Sequence, residues 1–224
     1  MNYKNNIVKK PWGYEYLVYG NEHVGLWFLY IKHNHSTSMH CHPNKTTGLI
    51  LLDGEATVSF LSNSVDISPK EKLMIRKGLF HSTTAKSTQG ICLLEIETPR
   101  DKHNLVRLED KYGRQGKPYE DSSFETPKES ECFWVEAPPD GEERIYNFAN
   151  SKIKILNIST IEDLENIQDN TNVIFLQGGI LTDYDVAVSG PGDIVVGSVI
   201  KKLTKVFKKM SKETIVMIVE DLNE

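Results

Sequence analysis

No stretch of the sequence stays apolar for the ~20 residues that a bilayer-crossing helix needs. The opening MNYKNNIVKKPWGYEY also has no apolar run behind its positive charges, so neither a membrane span nor a secretion signal is expected. Cysteine is scarce. Cys41, Cys92 and Cys132 are odd in number and widely spaced, with no CxxC pair, which leaves no disulfide framework and fits free thiols in a reducing, cytoplasmic setting. A basic excess is missing too: 26 Lys and Arg stand against 31 Asp and Glu, a net charge of −5. A nucleic-acid partner is therefore not the expectation, because phosphate neutralisation needs a clustered basic surface, although a small anionic ligand remains open. With 15 Gly, 9 Pro and 25% charged residues, collagen-like and disordered readings are excluded. What is present is a 39% apolar fraction over 224 residues, enough for a substantial core in one large domain or two small ones.

Helix-period segments are few, and short runs of Val, Ile, Leu, Thr and aromatics separated by turn residues predict a mostly β protein. Strands are predicted over 14–18, 25–32, 36–42, 48–52, 55–60, 64–67, 72–75, 81–85 and 91–98, with Asp53-Gly54 suited to a type I′ hairpin. From Asp101 to about Pro139 the composition turns to charge, Pro and Ser, which predicts an extended connection and a division into residues 1–118 and 119–224. Strands resume over 152–158, 173–177, 185–188, 194–196 and 214–219, with Gly178-Gly179 as a turn. Acids after Thr160 predict a short helix over 160–167. Ile200, Leu203, Phe207 and Met210 lie at helical spacing opposite five lysines, predicting an amphipathic surface helix over 199–210.

Five of the seven histidines fall between His33 and His81. In a strand, His40 and His42 point to one face, where two imidazoles can share a metal ion. Ser36 and Ser38 precede them on the same face, a polar stripe that needs partners if it looks inward. Cys41 points the other way and is expected to pack. His81 follows the turn Arg76-Lys77-Gly78-Leu79-Phe80 into a new strand. His33 and His35 are expected to be exposed polar residues.

His40-x-His42, then Gly54, then Gly78-x-x-His81 resembles the two short motifs of the cupin superfamily, small jelly-roll barrels (double-stranded β-helices) that hold a metal in the barrel mouth. Gly54 fixes the position of that family's glutamate ligand at 47, where this chain has Thr47, and Arg76 stands where the second motif has Pro. Lys10-Pro11-Trp12-Gly13-Tyr14-Glu15 resembles a KPWGYE opening, and the run from Asn104 to Arg114 resembles a closing DIVRFEDxYGR. Met39-His40-Cys41-His42 and Leu93-Leu94-Glu95-Ile96-Glu97 are similar to further segments of the same group, the type II phosphomannose isomerases, the cupin part of bifunctional mannose-1-phosphate guanylyltransferases. The likeness covers residues 8 to 115. The remainder resembles that pattern only in its Pro191-Gly192-Asp193 turn and carries no histidine, as a smaller β-rich half, a degenerate cupin without a metal site, would.

The resemblance implies a divalent metal, zinc first and Fe, Mn or Ni as alternatives, held by His40, His42 and His81. It implies a phosphorylated or nucleotide-activated sugar as the small-molecule ligand and aldose–ketose isomerisation as the reaction. Glu95 and Glu97 alternate with apolar neighbours and share one side of a strand; if that side is the barrel interior, they are the base or a substitute metal ligand, and if not, solvated residues. Arg107, within the closing motif, completes the catalytic set. Lys45, Arg76, Lys77 and Arg114 are candidates for phosphate contacts and Trp12 for sugar stacking. Two other readings stay open: a non-catalytic sugar-binding cupin, favoured by Thr47, and another metal-cupin chemistry such as epimerisation. A homodimer is the default expectation for an all-β chain that must cover its edges.

Overall fold

The computed structural model describes residues 6–117, 124–125, 132–139 and 142–222. The chain divides into two compact units, Met1–Trp134 and Val135–Glu224. The first contains β1 (Ile7–Lys10), β2 (Gly13–Gly20), β3 (Gly25–Ile31), β4 (Met39–Cys41), β5 (Thr46–Asp53), β6 (Ala56–Phe60), β7 (Ser64–Ile67), β8 (Lys72–Ile75), β9 (His81–Ala85), β10 (Ile91–Thr98), β11 (Val106–Glu109) and β12 (Phe124–Glu125). The break lies later than the predicted 118, because β12 pairs with β1 and the ring of Phe133 meets Phe28 edge-on at 6.4 Å. Part of the connection predicted over 101–139 lies outside the described residues.

Strand pairing is nested: β3 pairs with β10, β4 with β9, β5 with β8 and β6 with β7, all antiparallel. A long hairpin folded over in this way alternates between two sheets and coils into a double-stranded β-helix, the all-β cupin architecture. The large sheet runs β12-β1-β2-β3-β10-β5-β8 and the small one β11-β4-β9-β6-β7. Asp53-Gly54 therefore does not close a hairpin. It carries the chain from the large sheet to the small one, and of the two only Gly54 takes a positive φ, 85°, where an added Cβ would lie 2.7 Å from the Gly90 carbonyl oxygen. The strand predicted over 36–42 is shorter, Met39–Cys41, with a lone bridge from Ser36 to Thr84.

Between the sheets lies a core of Leu29, Ile31, Leu49, Leu51, Val58, Ala85, Ile91 and Leu93. Along β10 the inward positions run Ile91, Leu93, Glu95, Glu97, and cross-strand neighbours on β5 run Leu51, Leu49, Thr47 beside the last three. On the small sheet the facing positions change from Ala85 and Ala56 through Thr83 and Val58 to His81 and Phe60. Both sheets thus turn from apolar to polar toward the same end of the barrel.

The second unit contains β13 (Glu143–Phe148), β14 (Ser151–Ile158), α1 (Ile161–Glu165), β15 (Asn172–Gln177), β16 (Ile180–Leu181), β17 (Ala187–Ser189), β18 (Ile194–Val196), α2 (Gly197–Val206), β19 (Lys209–Met210) and β20 (Thr214–Asp221). Its sheets run β13-β14-β20-β15-β18 and β17-β16-β19. In chain order this is the arrangement β2-β3-β10-β5-β8 and β7-β6-β9 of the first unit, with α1 standing where β4 stands. The second unit repeats this strand order of the first. The helix predicted over 199–210 ends at Val206, since Phe207 is extended (φ −105°, ψ 113°) and Lys209–Met210 pairs with β16; all four of its apolar residues still meet the unit's core.

Candidate metal centre and active site

His40 and His81 are register partners on β4 and β9, and His42 follows two residues beyond His40. The turn before β9 is tied to this point, because Gly78 N–H donates to the His42 carbonyl at 2.9 Å with Gly78 at φ 73°. The three imidazoles converge. Ring centroids lie 4.4 Å apart for His40 and His81, 4.9 Å for His40 and His42, and 5.6 Å for His42 and His81, with each side chain buried.

Each Nδ1 contacts a backbone carbonyl: His40 to Ser38 at 2.7 Å, His42 to Asn104 at 2.7 Å, His81 to Leu79 at 2.9 Å. A carbonyl oxygen only accepts, so each Nδ1 carries the proton and each neutral ring keeps its lone pair on Nε2. Burial holds all three rings in the neutral form, pushing His42 down to about 3, His40 well below the usual imidazole range and His81 below it. His42 Nε2 is buried with no hydrogen-bond partner. Three inward lone pairs, one of them orphaned, fit a divalent cation with at least one open coordination position.

Across the barrel mouth, Glu95 and Glu97 face inward and are buried, which settles the side on which they lie. One ligand atom from each lies within 4.8 Å of a His42 ring nitrogen and of the other. Around them is a buried charge network that the sequence reading did not foresee. Lys45 Nζ sits 2.7 Å from Glu97 Oε1 and also donates to the Asp101 carbonyl at 2.8 Å. Lys102 Nζ lies 3.3 Å from both Glu97 Oε1 and Glu15 Oε1, and 3.9 Å over the Trp27 ring. Lys10 approaches Glu15 at 3.8 Å. Desolvation raises Glu95 to about 7, while Lys102, Lys45 and His42 outweigh desolvation at Glu97 and hold it well below the usual carboxylate range.

A pocket of about 430 Å³, counted to its open mouth, joins these groups. It is lined by Lys10, Trp12 and Glu15 from the opening motif, His40 and His42, Glu95 and Glu97, and Lys102, Arg107 and Arg114 from the closing segment. Arg114 is held by Asp110 (Nη2 to Oδ1 2.7 Å), and Arg107 Nη1 donates to the Lys117 carbonyl at 2.6 Å. Two of the expected substrate residues lie elsewhere. Arg76 is exposed on the turn after β8, and Lys45 is fully enclosed behind Glu97, so neither lines the pocket. His33 and His35 bond to the Ser87 and His33 carbonyls, apart from the histidine cluster, and His35 stacks on Tyr112. Cys41 is a buried free thiol. Missed from the sequence were Lys10, Glu15 and Lys102, and Asn104, which accepts from His42 through its carbonyl and from Asn44 N–H through Oδ1 at 2.9 Å. Three of these four were within quoted motifs or next to one.

No family model and no curated protein matches the chain. Solved structures do. A double-stranded β-helix protein from Klebsiella pneumoniae is similar at 11% identity over 43% of this chain and 84% of its own, with a TM-score of 0.40. The capsular polysaccharide assembling protein CapF of Staphylococcus aureus is similar at 12% identity over 46% of this chain and 34% of its own, TM-score 0.42. A cupin-2 domain protein from Shewanella frigidimarina is similar at 18% identity over 42% and 85%, TM-score 0.35. Among the described residues no helix is long and apolar enough to cross a membrane.

Proposed function

We propose that the first unit is a metal-dependent isomerase of a phosphorylated sugar, of the mannose 6-phosphate/fructose 6-phosphate type. The observation that carries this reading is a cluster of three neutral imidazoles with free Nε2 lone pairs, two of which, His40 and His42, line one pocket with two inward carboxylates of opposite proton affinity. His40, His42 and His81 would hold a divalent ion, which when bound supplies Lewis acidity at the substrate's carbonyl and hydroxyl oxygens.

Aldose–ketose exchange moves one proton between adjacent carbons through an enediol, so it needs a group that both takes and returns a proton at neutral pH. Glu95, raised to about 7, is suited to that. Its carboxylate accepts the proton from C2 and gives it back at C1 while the hydroxyl proton passes from O2 to O1, with no net change in the enzyme. Glu97 stays ionised, and its charge adds to the burial that raises Glu95. Lys10, Lys102, Arg107 and Arg114 line the same pocket against Glu15, Glu95 and Glu97, so the cations outnumber the anions there. That balance favours an anionic ligand such as a phosphate ester. Trp12, buried at the pocket wall, offers an apolar face to a sugar ring.

The test is interconversion of fructose 6-phosphate and mannose 6-phosphate by protein loaded with Zn²⁺, Mn²⁺ or Fe²⁺, with solvent deuterium followed into the product. Glu95→Gln should keep its metal and lose turnover by ~10²–10⁴-fold. His42→Ala should lose metal and turnover together. Unchanged turnover in Glu95→Gln would overturn the role assigned to that carboxylate; metal and sugar-phosphate binding without any turnover in the unaltered protein would make this a binding module, the reading that Thr47 favours.

A further inference from the structure

The histidine centre has no carboxylate at Thr47, the position that its spacing from Gly54 assigns to one. Thr47 is 1% exposed, and its Oγ1 is buried with no hydrogen-bond partner. Directly opposite it in the register of β5 and β10 stands Glu97. Residues directly paired across antiparallel strands project to the same face of a sheet, so a carboxylate at 97 enters the barrel beside the place where one at 47 would.

The two oxygens of Glu97 are in different situations. Oε1 takes both neighbouring ammonium groups, Lys45 at 2.7 Å and Lys102 at 3.3 Å. Oε2 is buried with no hydrogen-bond partner. An orphaned carboxylate oxygen in the barrel interior is costly, and a built network that satisfies one oxygen twice while leaving the other bare needs a reason. A second orphaned acceptor nearby is His42 Nε2, and a Glu97 carboxylate oxygen lies within 4.8 Å of a His42 ring nitrogen. Neither atom can satisfy the other, since the carboxylate and the Nε2 lone pair both only accept. A cation between them satisfies both at once.

We infer that Glu97 is the carboxylate ligand of the histidine centre, its oxygen having moved from β5 to the neighbouring strand β10, with Lys45 and Lys102 positioning it through the other oxygen. This rests on the proposal that His40, His42 and His81 hold a divalent ion. The site is then a three-histidine, one-carboxylate centre in which the fourth ligand comes from a strand outside the first histidine motif.

The test is metal affinity, measured on the full chain by competition with a chromogenic chelator for Zn²⁺, and the absorption of the Co²⁺-loaded protein, whose band positions and intensities report the ligand set. Glu97→Gln should weaken Zn²⁺ binding at least 10-fold and change the Co²⁺ spectrum. Glu97→Gln combined with Thr47→Glu should bring the affinity back to within a few-fold of the unaltered protein. Should Glu97→Gln not fold, Glu97→Asp keeps the charge for Lys45 and Lys102 while withdrawing the carboxylate by one methylene, and it should show the same loss. Zn²⁺ affinity and Co²⁺ spectrum unchanged in Glu97→Gln, or in Glu97→Asp, would overturn the inference and leave the histidine centre standing. Failure of the unaltered protein to bind metal at all, or full binding by His42→Ala, would instead overturn the reading on which it rests.

Discussion

Replacing Lys45 by methionine keeps the aliphatic stem and removes only the charge that faces Glu97. At the 2.7 Å separation of Nζ and Oε1, the attraction is about 6 kcal/mol at an effective dielectric of ~20, and the cost of taking both ions out of water is of similar size. The intact pair is therefore close to neutral for stability, but a broken one is not, because the remaining carboxylate stays buried. Such single removals cost ~3–5 kcal/mol. Lys102 lies 3.3 Å from the same oxygen and still contributes about 5 kcal/mol of attraction at the same dielectric, which places Lys45→Met at the low end, about 3 kcal/mol. The double variant Lys45→Met with Glu97→Met, which removes both charges, should return to within about 1–2 kcal/mol of the unaltered protein. The assay is urea unfolding of chelator-treated protein at pH 7 followed by tryptophan fluorescence. All three tryptophans, Trp12, Trp27 and Trp134, belong to the first unit, so the signal reports that unit alone. A loss below about 1 kcal/mol in the single variant, or a double variant no more stable than the single, would refute the idea that an interior ion pair fixes Glu97.

Two further outcomes follow from the same geometry. In metal-free protein the three site histidines bind fewer protons folded than unfolded, since burial lowers them from about 6.5, His42 to about 3. By linkage, stability is complete above that upper value and falls as pH drops through the window; Glu95, raised to about 7, opposes this with a single group, so the urea midpoint should fall between pH 7 and pH 5, and a midpoint that rose on acidification would contradict the buried neutral cluster. Gly54→Ala should lower the thermal midpoint of the first unit, because a positive φ costs a side chain ~1–2 kcal/mol before the 2.7 Å clash with the Gly90 carbonyl is added, and an unshifted melt would show that the crossover between sheets relaxes freely.

Most of the first unit's strands were legible because short apolar runs bounded by Gly, Asp and Asn are what a sandwich requires. β1 and β11 were not: IVKK is too short and too charged to stand out, and VRLE lies in a stretch whose polar composition reads as a connection. Whether Glu95 and Glu97 look in or out was undecidable from alternation. Leu94 and Ile96 between them are also buried, since the large sheet is covered on both faces, and a strand buried on both sides carries no period-2 signal. Only the register that puts Leu93 beside Leu51 and Leu29 decides it. Lys45 was misread for a related reason. A lysine in a Pro-Asn-Lys-Thr turn looks like a surface charge, and the carboxylate that draws it inside is 52 residues away.

The second unit separates what the fold needs from what the site needs. It repeats the β2–β3–β10–β5–β8 pairings of the large sheet, without β1 and β12, and the β7–β6–β9 pairings of the small one, and its core includes Val173, Phe175, Ile180, Ile200, Val216 and Ile218. What it lacks is local. The position of the histidine-bearing strand β4 is taken by α1, begun by Thr160 and its capping box, and β19, which stands where β9 stands, is only Lys209–Met210 and carries no histidine, with Lys209 paired to Asp185 at 2.6 Å. Without that strand and without an inward imidazole on β19, the second unit has the architecture and no histidine site among its described residues. The converse holds for the first unit: its hydrophobic layer of Leu29, Leu51 and Leu93 ends before the polar end of the barrel begins, so the buried charges at the mouth are carried by a core that does not depend on them. A cluster of Lys10, Glu15, Lys45, Glu95, Glu97 and Lys102 contributes little net stability once paired. Its presence at one end of an otherwise apolar barrel is accounted for by chemistry at the pocket, and the copy without the pocket has no such cluster among its described residues.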